Sequence, residues 1–177
     1  MFGPVLNDPE FDAALARAEQ VWIENVQNIQ DYPFSLIQRK KAVHWYATLG
    51  RAVWLIPQRT SCSFEDTDEV TEEEAIQILR ACQYGFFSWS TNNAQQIRSF
   101  EPDSYMTKGT SLVALMKWLF PDAQFPETEP YWTPYIQRAN EMGVATREPG
   151  PYVNYLITQY ELLLQLYRAS ERRASNR

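Results

Sequence analysis

Histidine and cysteine are nearly missing from this 177-residue chain, which has a single histidine, His44, and two cysteines, Cys62 and Cys82. No Cys-x-x-Cys or His-x-x-x-His spacing accompanies them, so neither a zinc site nor any other metal centre is expected. Six glycines leave little material for a phosphate-cradling loop, and no Gly-x-Gly-x-x-Gly, Walker or Gly-x-Ser-x-Gly pattern occurs. Asp66-Thr67-Asp68 begins like a calcium loop, but Val70 stands where an oxygen ligand is needed, Thr71 at the turn-glycine position and Gln77 at the bidentate-glutamate position. No apolar run approaches the roughly 18–20 residues that span a bilayer. The N-terminal Met-Phe-Gly-Pro, followed by Asp8 and Glu10, has neither the basic nor the apolar region of a secretion signal. A cytoplasmic protein without membrane contact is the expectation, with both cysteines as reduced thiols. Cys62, in a loop, is the better nucleophile candidate of the two, although nothing flanks it in support.

What the chain has in plenty is apolar and aromatic material. Hydrophobic residues are 45% and aromatics 14%, against 21% charged, which excludes a disordered chain. Asp8-Pro9-Glu10 is a helix start, and Phe11, Leu15, Ala18, Trp22, Val26 and Ile29 then follow at spacings of three and four. This predicts a helix over 9–30. A second helix is predicted over 34–56, ending at Pro57 and apolar almost all round in its second half, as in a helix enclosed by others. Thr71-Glu72-Glu73-Glu74 matches a capping box, and it opens a helix with Ala75, Leu79, Cys82, Phe86 and Trp89 on one stripe. A short helical piece through Phe100 is expected next. Leu112 to Phe120 forms an apolar helix stopped by Pro121, and Thr133-Pro134 caps another that Gly143 ends. Gly150-Pro151 introduces the last, with Val153, Leu156, Ile157, Tyr160, Leu163, Leu164 and Tyr167 on its stripe. No strand pattern competes with these readings, and no repeat with a period of about 20–50 residues suggests a solenoid.

The predicted fold is therefore all-α, a single-domain bundle of about five to seven helices with a buried second helix and a long C-terminal helix. The domain is placed over 1–170, with 171–177 as a polar, frayed tail.

Charge is distributed unevenly around a net −6. Residues 32–64 hold five bases and no acid, and residues 65–74 hold seven acids. On the second helix Lys40, Lys41, His44, Thr48 and Arg51 form a polar strip. It either pairs with the chain's own carboxylates or meets a partner. The candidate partner-binding residues are Lys40, Lys41, His44 and Arg51 from this strip. Tyr131 and Trp132 join them from the proline-flanked segment Pro130-Tyr131-Trp132-Thr133-Pro134, since exposed Tyr and Trp favour interfaces. No catalytic constellation and no cofactor site is visible. The expected function is that of a non-enzymatic interaction protein, an accessory subunit or adaptor in a larger protein assembly. The alternative is a nucleic-acid-contacting helical small subunit of a ribonucleoprotein-type complex, using the basic strip. The acidic pI near 4.9 favours the protein partner, acidic or mixed in charge. An enzyme with carboxylate or thiol chemistry hidden in the sequence is the third reading.

Overall fold

The computed structural model describes residues 7–21, 26–52, 62–86, 90–91, 98–120, 123–145 and 151–175. Seven α-helices lie among them: α1 Pro9–Gln20, α2 Val26–Asp31, α3 Arg39–Ala52, α4 Glu72–Gln83, α5 Lys108–Leu119, α6 Thr133–Glu141 and α7 Gln159–Ser175. A two-residue antiparallel pair joins β1 Ser90–Thr91 to β2 Arg98–Ser99, and β2 stands where a short helical piece through Phe100 was expected. The all-α class holds, and the helices form a single compact domain. α1 packs against α7, α3 against α4, and α5 against both α6 and α7.

Local chemistry explains the helix starts. The Asp8 carboxylate accepts from Glu10 N at 3.0 Å and Phe11 N at 3.2 Å, satisfying two donors that the first turn leaves free. Thr71 and Glu74 close the predicted capping box, with Glu74 N donating to Thr71 Oγ1 and Thr71 N donating to Glu74 Oε2. A second box, Thr158 with Glu161, opens α7. Arg168 grips Glu10 through two bonds of 2.6 Å and holds α7 to α1.

The core is aromatic and runs between α3, α5 and α7. Trp45, Tyr46, Phe86, Phe100 and Trp118 are all buried, so α3 is enclosed as expected. Three polar groups of the core, one from each of these helices, bond to one another. The Tyr46 hydroxyl, on α3, lies 2.9 Å from Ser111 Oγ on α5, which in turn donates to Gln165 Oε1 on α7. Burial drives the Tyr46 hydroxyl pKa well above its ordinary value.

Several boundaries differ from the sequence reading. α3 starts at Arg39, not at residue 34, because the backbone before it bonds to remote segments. α7 likewise starts at Gln159, and Leu156 is exposed instead of lying on its core stripe. On α4 the buried face is Gln77, Ile78, Ala81 and Cys82, while Ile76 and Leu79 face outward. α7 runs through Ser175, past the expected start of the tail, because Arg172 Nε donates to Met142 O and Arg173 donates to Trp118 O. The predicted stripe positions Trp22 and Trp89 lie outside the described residues.

The largest correction concerns the cysteines. Cys62 and Cys82 form a disulfide, not two reduced thiols. The segment after Cys62 folds back on α4 and brings the two Cα atoms to 6.1 Å, within the range a disulfide spans. Fully buried Cys82 thus serves as an anchor for the acidic loop that follows Cys62.

Candidate functional site

The three central helices α3, α5 and α7 begin at one place, and each is preceded by an arm of the same design, which starts in a turn or, for the third, in the 3-10 helix Pro151–Asn154 and becomes extended at its end. The arms cover residues 33–38, 102–107 and 153–158. Each reads buried, three exposed, buried, half-buried: Pro33 to Gln38, Pro102 to Thr107, and Val153 to Thr158. Their centres, Ile37, Met106 and Ile157, are fully buried.

The arms pair in a closed ring. Isolated antiparallel bridges join Gln38 to Tyr105, Thr107 to Leu156, and Leu36 to Thr158. Each arm therefore offers the residue after its centre to the next arm and the residue before its centre to the previous one. The same cycle recurs in the helix starts. Arg39 N donates to Ser104 O, Lys108 N to Tyr155 O and Gln159 N to Ser35 O, at 2.8, 2.9 and 2.9 Å. Lys40 N and Tyr160 N reach the carbonyls of Pro102 and Pro33. Free N–H groups of three converging helices are thus capped by neighbouring arms.

This ring fixes where the side chains point. Successive residues of an extended segment face opposite sides, and residues paired across a bridge face the same side. Ile37, Met106 and Ile157 point into the core. Leu36, Gln38, Tyr105, Thr107, Leu156 and Thr158 must all lie on the other side, the outer face of a three-armed hub. Six of the nine exposed large apolar residues among those described belong to the hub or its edge. They are Tyr32, Phe34, Leu36, Tyr105, Tyr155 and Leu156, with exposures from 39% to 61%. Scattered single apolar residues are ordinary on a surface, but a grouped set marks contact.

The second arm borders an open acidic cleft of about 460 Å³, lined by Glu65, Asp66, Asp68, Glu69, Glu101, Pro102, Asp103 and Ser104. Asp66 holds it together by accepting from Ser99 Oγ, Phe100 N and Glu101 N at 2.8, 2.7 and 2.6 Å. Burial alone would raise the Asp66 pKa, but these hydrogen bonds outweigh it and keep the carboxyl below its ordinary value. Glu101 sits at φ 57°, a left-handed backbone turn at the entrance to the arm.

Of the sequence-predicted residues, Lys40 and Lys41 lie beside the hub in the first turn of α3, whereas Arg51 lies near the far end of that helix. Lys40 is bound to Asp103 at 2.8 Å and approaches Glu74 at 3.8 Å; its pKa is raised, chiefly by the Asp103 bond. Lys41 donates to Gln159 Oε1 and Asn28 Oδ1, and burial lowers its pKa. Both lysines on the strip therefore turn to the chain's own acceptors. That suits their position, since bases at a helix N-terminus oppose the macrodipole and need local compensation. His44 is half-buried, and its Nε2 has no hydrogen-bond partner among the described residues. Arg51 lies in α3, and its side chain is outside the described residues. Trp132 packs half-buried against the core, whereas Tyr131 is exposed and meets the Trp132 ring edge-on.

Arg39, which the strip did not include, is the base most closely built into the site. Its Nε donates to Phe100 O at 2.8 Å and its guanidinium lies over the Phe100 ring. Burial lowers its pKa, opposed by the charges of Glu101 and Asp66 and by the Tyr131 hydroxyl.

Sequence reasoning missed the hub residues themselves. Their common signal is a serine or tyrosine, a large apolar residue, a buried isoleucine or methionine and then glutamine or threonine before a helix start, seen at Ser35 to Gln38, Ser104 to Thr107 and Tyr155 to Thr158. No group of three or more His, Cys, Asp or Glu side chains among the described residues is arranged to hold a metal ion. No described helix is long and apolar enough to cross a membrane. The chain matches no known family, and a comparison with curated proteins finds no match.

Proposed function

We propose that the chain is a non-enzymatic interaction protein, an accessory subunit or adaptor, that docks through the outer face of its three-armed hub. One observation carries this reading: six large apolar side chains gather at the hub, and its bridge register sets Leu36, Tyr105 and Leu156 on a single outer face. The backbone beneath is tied by the carbonyl-to-amide ring, so those side chains are held on a rigid platform and lose little freedom on binding. Aromatic anchors on a preorganised surface are the usual carriers of interface energy.

The nucleic-acid alternative draws less support, because Lys40 and Lys41 are occupied by Asp103, Gln159 and Asn28. The test is affinity capture from the native host with the wild-type chain and with Leu36→Ser/Tyr105→Ser/Leu156→Ser. Partners retained by the first and lost by the second, at equal melting temperature, agree with the reading. Identical partner sets refute it.

A further inference from the structure

The hub face and the acidic cleft are continuous. Asp103, Ser104 and Tyr105 are the three exposed residues of the second arm: the first two line the cleft, and the third lies on the hub face. Gln38, bridged to Tyr105, also donates through its side chain to Asp103 O at 3.2 Å. A partner seated on Leu36 and Tyr105 therefore reaches the cleft without leaving the surface.

The charges of the cleft are poorly balanced from within. Lys40 answers Asp103, the charge of Arg39 acts on Glu101 and Asp66, and the oxygens of Asp66 are taken by three donors. Glu65, Asp68 and Glu69 are exposed and form no ion pair among the described residues. Like charges crowded around one concavity create a field that draws cations and repels anions. Such complementarity selects the partner and speeds its approach, while apolar anchors supply the holding energy.

We propose that this combined surface binds a cationic, amphipathic segment of a protein partner. Lysine or arginine side chains enter the cleft toward Glu65, Asp68 and Glu69, and apolar side chains rest on Leu36, Tyr105 and Leu156. The proposal rests on the reading of the hub as a docking face and adds the charge of what docks there. The carboxylates disfavour nucleic acid and anionic lipid at this face. A second copy of this net −6 chain is a poor match as well.

The test titrates the full-length protein with a synthetic peptide of alternating leucine and lysine, against its leucine–glutamate counterpart. The lysine peptide is expected to bind at least tenfold more tightly, with an affinity that falls as salt rises. Asp68→Lys/Glu69→Lys should remove that preference while leaving the melting temperature in place. Leu36→Ser/Tyr105→Ser/Leu156→Ser should weaken the lysine peptide at least tenfold, and Tyr105→Ser alone serves if the triple variant unfolds. Equal binding of both peptides, or a lysine preference that survives the cleft variant, overturns the cationic assignment. If the hub variant still loses binding in that case, the docking face stands and only its charge preference falls. Insensitivity of binding to the hub variant sinks both. Two controls also count against the proposal if positive: tighter binding to phosphatidylglycerol vesicles than to peptide, and a dimer in light scattering that blocks the peptide.

Discussion

Reducing the Cys62–Cys82 bond should cost this protein about 3 kcal/mol of stability. The bond joins residues 20 apart in sequence, and the chain-entropy relation for a closed loop of that size gives roughly 3.3 kcal/mol at 25 °C. The effect is located in the unfolded chain, which gains freedom when the link is opened. Native packing changes little, because Cys82 remains in the buried face of α4. For a chain of this length each kcal/mol moves the melting temperature by about 2–4 °C, so a drop of about 6–12 °C is expected. With a urea slope of about 2 kcal/mol/M the midpoint falls by about 1.5 M. The assay is thermal and urea unfolding with and without a phosphine reductant, with alkylation and intact mass to count free thiols. Cys62→Ser and Cys82→Ala should reproduce the loss without reductant. If the oxidised and reduced proteins melt within a degree of each other, the link either does not form or does not constrain the unfolded state.

Three further outcomes are expected. Asp66, Asp8 and Glu10 all have folded pKa values below their ordinary ones. Their contribution is therefore complete above the unfolded carboxyl range near pH 4 and is lost as pH falls through and below it. Asp66→Asn should flatten the acid limb of the stability profile in urea melts between about pH 2 and 6; an unchanged limb refutes the assignment. Gly109→Ala places a Cβ 2.9 Å from Val153 O, a backbone atom that cannot turn aside. The clash should cost about 1–3 kcal/mol and exceed the roughly 1 kcal/mol gained in helix propensity, so a stabilised variant in urea unfolding would show that the third arm yields. Tyr46→Phe removes the hydroxyl that links α3 to Ser111, and it should cost about 0.5–1.5 kcal/mol by the same measurement; no loss would mean that the linkage is energetically idle.

The features legible in the sequence are those whose causes are local. Asp8-Pro9-Glu10 and Thr71 with Glu74 cap their helices as their side chains dictate, and Ala42, Trp45 and Tyr46 are buried as the apolar character of α3 requires. The Thr158–Glu161 box had the same local signature and would have placed the start of α7 at Gln159. What escaped depends on distant partners. Ile37 O accepts from Met106 N, and Met106 O accepts from Ile157 N; no window around any of the three positions contains the other two. The three arms are unequally spaced along the chain, so a search at fixed period passes over them. The sequence left open whether Lys40 pairs with the chain's own carboxylates or meets a partner, because Asp103 lies far away along the chain, and the cysteines were expected to be reduced because no secretion signal is visible. On α4 the spacing of Leu79 and Phe86 suggested one stripe, yet the helix turns Ile78 and Ala81 inward to meet α3.

The closed ring of arms also has a kinetic consequence. No arm can complete its hydrogen bonds with a neighbour in sequence, since every bridge joins segments separated by at least two helices. Helices α3, α5 and α7 can gain structure early, but the ring closes only after the long stretches of chain between them have been gathered, against their closure entropy. Bonds at Leu36, Tyr105 and Leu156 are then largely absent from the folding transition state. Weakening them should quicken unfolding and leave the folding rate nearly unchanged. The outer face would be the last surface to form, and a chain still folding would present nothing there for a partner to grasp.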